Sequence, residues 1–243
     1  MHVHAEIVKK RDTQPHIGAP FRDLGINDPQ NDFAQVFETA LKRNSWADRY
    51  LSSPATEDSL KQLTIAALIN NNVYGVTSGD IEKVRAWKKE APDRIIPSIY
   101  WNFNSALRGK LTVDSLEKLF RSGEFKVFGE ITIQYEGYSP SDTLFDPYLA
   151  MAERLDIPVG IHVGCGPPGA PYVGSKPYRA RLHSALGLEE ALLRHPKLRV
   201  YAMHAGWPMI DDMLATLYTH PQLYVDVGAI CYMIPKKEFY YYL

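Results

Sequence analysis

The chain has 243 residues, 45% hydrophobic and 23% charged, with 27 Lys and Arg against 28 Asp and Glu for a net charge of -1. These proportions are those of a globular protein and exclude a disordered tail, a collagen and a coiled coil. The balanced charge leaves no basic surplus for a phosphate backbone, and no apolar run approaches the ~18 residues of a membrane span, so neither nucleic acid nor membrane is expected as a partner. Two cysteines, Cys165 and Cys231, cannot build a disulfide framework or a Cys-rich zinc site and fit a reducing compartment. Met1 to Lys10 contains no apolar core of a signal peptide, so the cytoplasm is the default location, unless an upstream signal has been lost.

The chain opens on His2-Val3-His4-Ala5. Lys9 to Asp58 is irregular, with Pro15, Gly18, Pro20, Gly25, Pro29 and Pro54, and reads as a long loop carrying one helix over Asn31 to Arg43. Six short apolar runs follow: Val73 to Thr77, Arg94 to Ile99, Lys126 to Ile131, Pro158 to Val163, Arg199 to His204 and Leu223 to Gly228. Each is bounded by Pro, Gly or charge, the pattern of a buried parallel strand. Helical spacing lies between them. Asp80 to Glu90 starts on an Asp cap and puts Ile81, Val84 and Trp87 on one face; Val113 to Arg121 does the same with Leu116, Leu119 and Phe120. Asp142 to Leu155, Leu188 to His195 and Met209 to His220 complete the set. His195-Pro196-Lys197-Leu198-Arg199-Val200 and His220-Pro221-Gln222-Leu223-Tyr224-Val225 share one form, in which Pro ends a helix and the His before it sits at the negative helix terminus. Alternating strands and helices predict a parallel sheet, and no linker divides it, so one domain over residues 1–243 is expected. Periodicity alone leaves open whether the sheet closes into a barrel.

Four histidines stand where such folds do chemistry. In an extended strand, residues i and i+2 share a face, so His2 and His4 can reach one metal ion. A histidine-bearing flexible N-terminus or a tag remnant is the plain alternative. His162 and His204 close consecutive strands, each with a Gly two residues on, and the carboxyl ends of strands face the active site in open α/β sheets and barrels. A buried His satisfied by a carbonyl explains either one alone; the equivalent placement of both argues against it. Four neutral imidazoles at one end of the sheet suit zinc or another borderline divalent metal; zinc is the expected ion, with manganese or another as the alternative.

This constellation resembles the amidohydrolase superfamily, and more closely its amidohydrolase-related branch of metal-dependent hydrolases and nonoxidative decarboxylases. The resemblance rests on Met1-His2-Val3-His4-Ala5, on Pro158-Val159-Gly160-Ile161-His162-Val163-Gly164, and on the run from His195 to Gly206. It implies a metal-containing (β/α)8 TIM barrel with His2, His4 and His162 as metal ligands. It implies that His204 is either a ligand or a group that moves a proton and polarises substrate. The family pattern differs at both ends. Only Met1 precedes the HxH, where an apolar strand and an Asp are usual, and no eighth strand with its Asp follows Tyr240-Tyr241-Tyr242-Leu243. The expectation is an incomplete barrel, strands one to seven with strand eight missing, from a longer gene product truncated at both ends.

Other residues have narrower readings. Glu130, at the end of the fourth predicted strand, either serves the metal site as a bridging or water-binding carboxylate or makes a salt bridge to a neighbouring Lys or Arg. Asp226 either orients a His or is structural, and the structural reading is preferred. Gly164 to Tyr172 is too rich in Pro to cradle phosphate and reads as a wall of the substrate pocket. Arg179 and Arg181 could hold a substrate carboxylate, or be a solvated turn; Trp207 could line the pocket or only cover the rim. Cys165 has no legible base and reads as a small pocket residue. His195 and His220 belong to the opposite face, and His16 and His183 carry no assignment.

The expected function is hydrolysis of an amide, ester or lactone in a small-molecule substrate, with a divalent metal, His204 and Glu130 as catalytic groups, and Arg179, Arg181 and Trp207 binding substrate. The alternatives are nonoxidative decarboxylation of an aromatic or unsaturated acid and, from another class, a noncatalytic barrel fragment. Homo-oligomerisation is compatible with the sequence.

Overall fold

The computed structural model describes residues 1–5, 28–36, 54–107, 109–167 and 169–241. Most of the loop expected over Lys9 to Asp58, His16 within it, and the helix expected over Asn31 to Arg43 beyond residue 36 lie outside them; residues 33–36 form a helical turn.

Seven strands form one parallel sheet in sequential order: β1 (His2–Ala5), β2 (Gly75–Gly79), β3 (Ile95–Trp101), β4 (Val127–Ile131), β5 (Val159–His162), β6 (Val200–Met203) and β7 (Leu223–Val225). Each neighbouring pair is parallel, with His4 opposite Ser78 and His162 opposite Met203. Flat, six spacings of ~4.8 Å would put β1 roughly 29 Å from β7. Yet His2 Nδ1, on β1, lies 3.0 Å from Asp226 Oδ1, just past β7. The sheet therefore curls nearly closed, as an incomplete (β/α)8 barrel. Among the described residues no eighth strand fills the gap between its two edges, and Tyr224 and Val225 on β7 are 64% and 40% exposed.

Helices connect and follow the strands. They are α1 (Glu57–Asn70), α2 (Ile81–Glu90), the short α3 (Phe103–Leu107), α4 (Val113–Arg121), α5 (Asp146–Arg154), α6 (Glu189–Arg194), α7 (Ile210–Thr219), α8 (Ile230–Met233) and α9 (Lys236–Tyr241). The Asp80 carboxylate accepts from the backbone of Glu82 and Lys83 at 3.1 Å each and starts α2, as the sequence predicts. Helix α1 falls where no helix was predicted; its signal is a Thr56–Ser59 capping box ahead of Ile65 and Leu68, which it buries. Helix α5 begins at Asp146 rather than Asp142. The Asp142 carboxylate instead accepts from Leu144 N at 2.9 Å in a local turn, and Pro147 suits the first helical turn.

Strands β4 and β5 are buried on both faces, which is why they read as continuous apolar runs. The core between sheet and helices centres on Trp101, fully buried, with ring centroids 4.3 Å from Tyr148, 5.2 Å from Phe145 and 6.0 Å from Phe128. Gly79, opposite Ala5, has φ +135°, and a Cβ there would lie 2.6 Å from the Ala5 carbonyl oxygen. Only glycine lets β1 and β2 approach this closely beside the histidine pair. No helix among the described residues is long and apolar enough to cross a membrane.

Candidate metal centre

The carboxyl ends of β1, β4, β5 and β6 bring four imidazoles around one carboxylate. Glu130, 5% exposed on β4, is that carboxylate. Its Oε1 accepts from His162 Nδ1 at 2.6 Å, and its Oε2 lies 3.1 Å from His4 Nε2. His204 Nε2 stands 3.7 Å from Oε1. The His2 ring closes the group, with its centroid 5.6 Å from His4 and 5.0 Å from His204. No Lys or Arg contacts Glu130 among the described residues; its partners are histidines, not the basic side chain that a salt bridge would have required.

Each imidazole is set by a specific neighbour. His2 Nδ1–H donates to the Asp226 carboxylate, which leaves Nε2 as the free lone pair. Asp226 thus contacts a histidine of the cluster, as the reading not preferred from the sequence would have it. His204 Nδ1–H donates to the Gly228 carbonyl at 2.9 Å, so its Nε2 lone pair faces Glu130. The backbone turns sharply to allow this. His204, Ala205 and Gly206 have φ of 61°, 45° and 70°. Holding two non-glycine residues in the left-handed region costs of order 1–3 kcal/mol each, a cost found mainly at functional sites. His162 is buried, and its Nε2 lies 3.3 Å from Tyr135 Oη.

The electrostatics follow from burial and these contacts. Burial opposes charge on Glu130, but the hydrogen bond from His162 and the contacts with His204 and His4 outweigh it and hold the carboxyl far below the usual range. Burial lowers His162 and favours neutral imidazole. Burial also acts to lower His204, but its contact with Glu130 wins and raises it. Asp226 is pushed up by burial and pulled below its ordinary value by His2.

The donors fit a divalent cation. His2, His4 and Glu130 present ligand atoms within 4.8 Å of one another, and so do Glu130, His162 and His204. Glu130 belongs to both groups. Neutral imidazoles joined by one carboxylate are a donor set for zinc and its borderline neighbours.

Beside this centre opens a cleft of about 1080 Å³. His4, Glu130 and His162 form one end, and Tyr100, Asn102 and Thr132 line another part of its wall. Tyr100 Oη is 2.7 Å from Thr132 Oγ1 and accepts from Asn102 Nδ2 at 3.3 Å. Gly174, Ser175 and Pro177 line the cleft, rather than the Gly164 to Tyr172 stretch expected to. Arg179 and Arg181 are exposed and outside the lining, and Arg179 Nη1 donates to the carbonyls of Lys176 and Tyr178. Trp207 also lies outside the lining; its Nε1 donates to Glu238 at 3.0 Å and its ring packs near Ala205, Ile230 and Ile234. Cys165 sits beside Tyr178, with its thiol pushed up by burial.

His195 and His220 close α6 and α7, away from the centre; His195 lies between Asp146 and Glu153, and His220 beside Glu189. His183, unassigned from sequence, is fully buried against Tyr178, Tyr135 and His162, with ring centroids 4.3, 5.0 and 5.5 Å away. Burial lowers it to about 3, and the neighbouring His162 acts in the same direction. Sequence reasoning also missed Tyr135. Its position just past β4, the strand that carries Glu130, was the available signal.

No protein of curated function matches the chain. Among solved structures, an uncharacterised TIM-barrel protein from Bordetella bronchiseptica aligns over 74% of this chain and 63% of its own, at 19% identity and a TM-score of 0.51. The chain thus spans less than two thirds of that barrel, and the likeness is one of fold. A candidate amidohydrolase from Staphylococcus aureus aligns over 85% of this chain and 78% of its own, at 15% identity and a TM-score of 0.47. A 2,6-dihydroxybenzoate decarboxylase aligns over 63% and 57%, at 14% identity and a TM-score of 0.41. The amidohydrolase family model matches residues 1–240. That match spans the whole sheet, including the four strands that carry the histidines and Glu130, and the chain belongs to the amidohydrolase family.

Proposed function

We propose that this chain is a metal-dependent hydrolase that cleaves a C–N or C–O bond of a small molecule, an amide, ester or lactone. The observation that carries the reading is the convergence of four imidazoles from three strands on one buried carboxylate, beside a cleft large enough for a substrate. His2, His4 and His162 would hold the cation, with Glu130 shared between the two ligand groups. A divalent cation there supplies Lewis acidity, which brings the pKa of water towards ~7 and polarises a substrate carbonyl.

The side chains do the remaining work. Asp226 holds His2 with its Nε2 lone pair directed away from the Nδ1 bond. The Gly228 carbonyl holds His204 in the tautomer whose Nε2 can accept a proton. Once protonated there, His204 can return the proton to a leaving nitrogen or oxygen. Its closeness to Glu130 favours the charged state on the way. Tyr100, Asn102 and Thr132 offer hydroxyl and amide groups to the polar end of a substrate. Arg179, Arg181 and Trp207 lie outside the lining, so the substrate contacts expected of them have no support from the cleft.

The test is metal content and product identity. The purified chain should retain stoichiometric zinc or manganese, and His162→Ala should lose it. A chain that binds no ion, or an H162A variant with unchanged content, overturns the proposal. Release of CO₂ without hydrolysis would replace it with decarboxylation.

A further inference from the structure

We infer that Tyr135 is a positioning residue for the cation, acting through the ring of His162. The inference rests on the reading above that His162 is a ligand. His162 offers two nitrogens to different surroundings. Nδ1 faces Glu130 at 2.6 Å, inside the ligand cluster; Nε2 faces Tyr135 Oη at 3.3 Å, outside it. The ring is buried, so each nitrogen needs a partner in every state it adopts.

In the structure as it stands, Nδ1 carries the hydrogen and donates it to the Glu130 carboxylate. Nε2 is then a lone pair and accepts from the Tyr135 O–H. To ligate, Nδ1 must present its lone pair, so the neutral ring must carry its one hydrogen on Nε2 instead. The ring's charge and proton count do not change; one N–H is lost at Nδ1 and one is gained at Nε2. The Tyr135 hydroxyl answers by rotating, and accepts from Nε2–H where it had donated. A hydroxyl can serve both tautomers because it is donor and acceptor at once. A carboxylate or carbonyl in its place could serve only one.

The surroundings keep that hydroxyl in place. Tyr135 extends from the 3-10 turn Ile133–Glu136, directly after β4, and its ring packs 5.1 Å from His162, 5.0 Å from His183 and 5.5 Å from Tyr178. Gly166 passes over it so closely that an added Cβ would lie 2.5 Å from Tyr135 Oη and 2.9 Å from its ring. The neighbouring Tyr178 hydroxyl is engaged elsewhere, accepting from Gly166 N at 2.9 Å.

The experiment compares wild type, Tyr135→Phe, Gly166→Ala and Tyr178→Phe by competitive titration of zinc and cobalt against a chelator, with the thermal midpoint of each metal-free protein measured alongside. Y135F should bind both metals about 10–100-fold more weakly, the range for loss of a group that orients a ligand, and its cobalt spectrum should change. G166A, which crowds the same hydroxyl, should weaken binding in the same direction. Y178F should bind as wild type does. Should Y135F not fold, ¹⁵N chemical shifts of the wild-type His162 ring decide. Nδ1–H without zinc and Nε2–H with zinc supports the inference, and one tautomer in both states overturns it. A folded Y135F with wild-type affinity also overturns it. If the wild type itself binds no ion, it is the metal-centre reading that fails.

Discussion

Replacing Glu130 by Gln tests the centre most directly. The carboxylate is 5% exposed and makes two contacts short enough to be charge-assisted hydrogen bonds, 2.6 Å to His162 and 3.1 Å to His4. His204, at 3.7 Å, is too distant to count as a third. Each such bond contributes about 1.5–3 kcal/mol. Removing the charge also relieves its desolvation, which costs several kcal/mol per buried ion and offsets much of that gain. Glutamine keeps one acceptor but turns an NH₂ towards an imidazole N–H. The net loss in the metal-free protein should be about 1–3 kcal/mol, a thermal midpoint lower by about 2–12 °C for a chain of this size. Metal binding should suffer more, because Glu130 is the one anionic donor common to both ligand groups. A fall of at least ~100-fold, or ~2.7 kcal/mol, is expected. Scanning fluorimetry of chelator-treated protein measures the first effect, and chelator competition the second. An E130Q variant that melts lower but binds zinc as tightly as wild type would refute the reasoning and make Glu130 a structural hydrogen-bond acceptor.

Three further outcomes follow from the same structure. Asp226→Ala should weaken metal binding about 10–100-fold by freeing His2 to rotate, whereas unchanged affinity in chelator competition would show that Asp226 only bridges the sheet edges. Trp101→Ala should lower unfolding free energy by ~3–5 kcal/mol in urea, because the ring is fully buried among Phe128, Phe145 and Tyr148; a loss under ~1 kcal/mol would mean that the core collapses around the gap. Asp146 should contribute to the acid limb of stability. Burial raises its pKa, but Arg194 and His195 hold it below the ordinary value. Its contribution is therefore present above the unfolded value near ~4 and fades as pH falls through the lower folded value. Asp146→Asn should flatten the stability profile there, and an unchanged slope in urea titrations below pH 4 would contradict the pairing.

The sequence by itself determined the local elements and the identity of the donors. Six strands were legible as apolar runs because a parallel sheet buries both faces, and the Asp80 cap and helix-ending prolines act within a few residues of themselves. His2 and His4 could be paired because strand alternation is a local rule, and His162 and His204 because each closes a strand. Tertiary structure decided what depends on distant segments meeting. Whether Glu130 answers to lysine or histidine and whether Asp226 contacts a ring depend on segments far apart in the chain, and curvature brings residue 2 within 3.0 Å of residue 226. No short-range pattern encodes that approach. It is the sum of small strand-to-strand rotations over seven strands, and the His2–Asp226 contact follows from it.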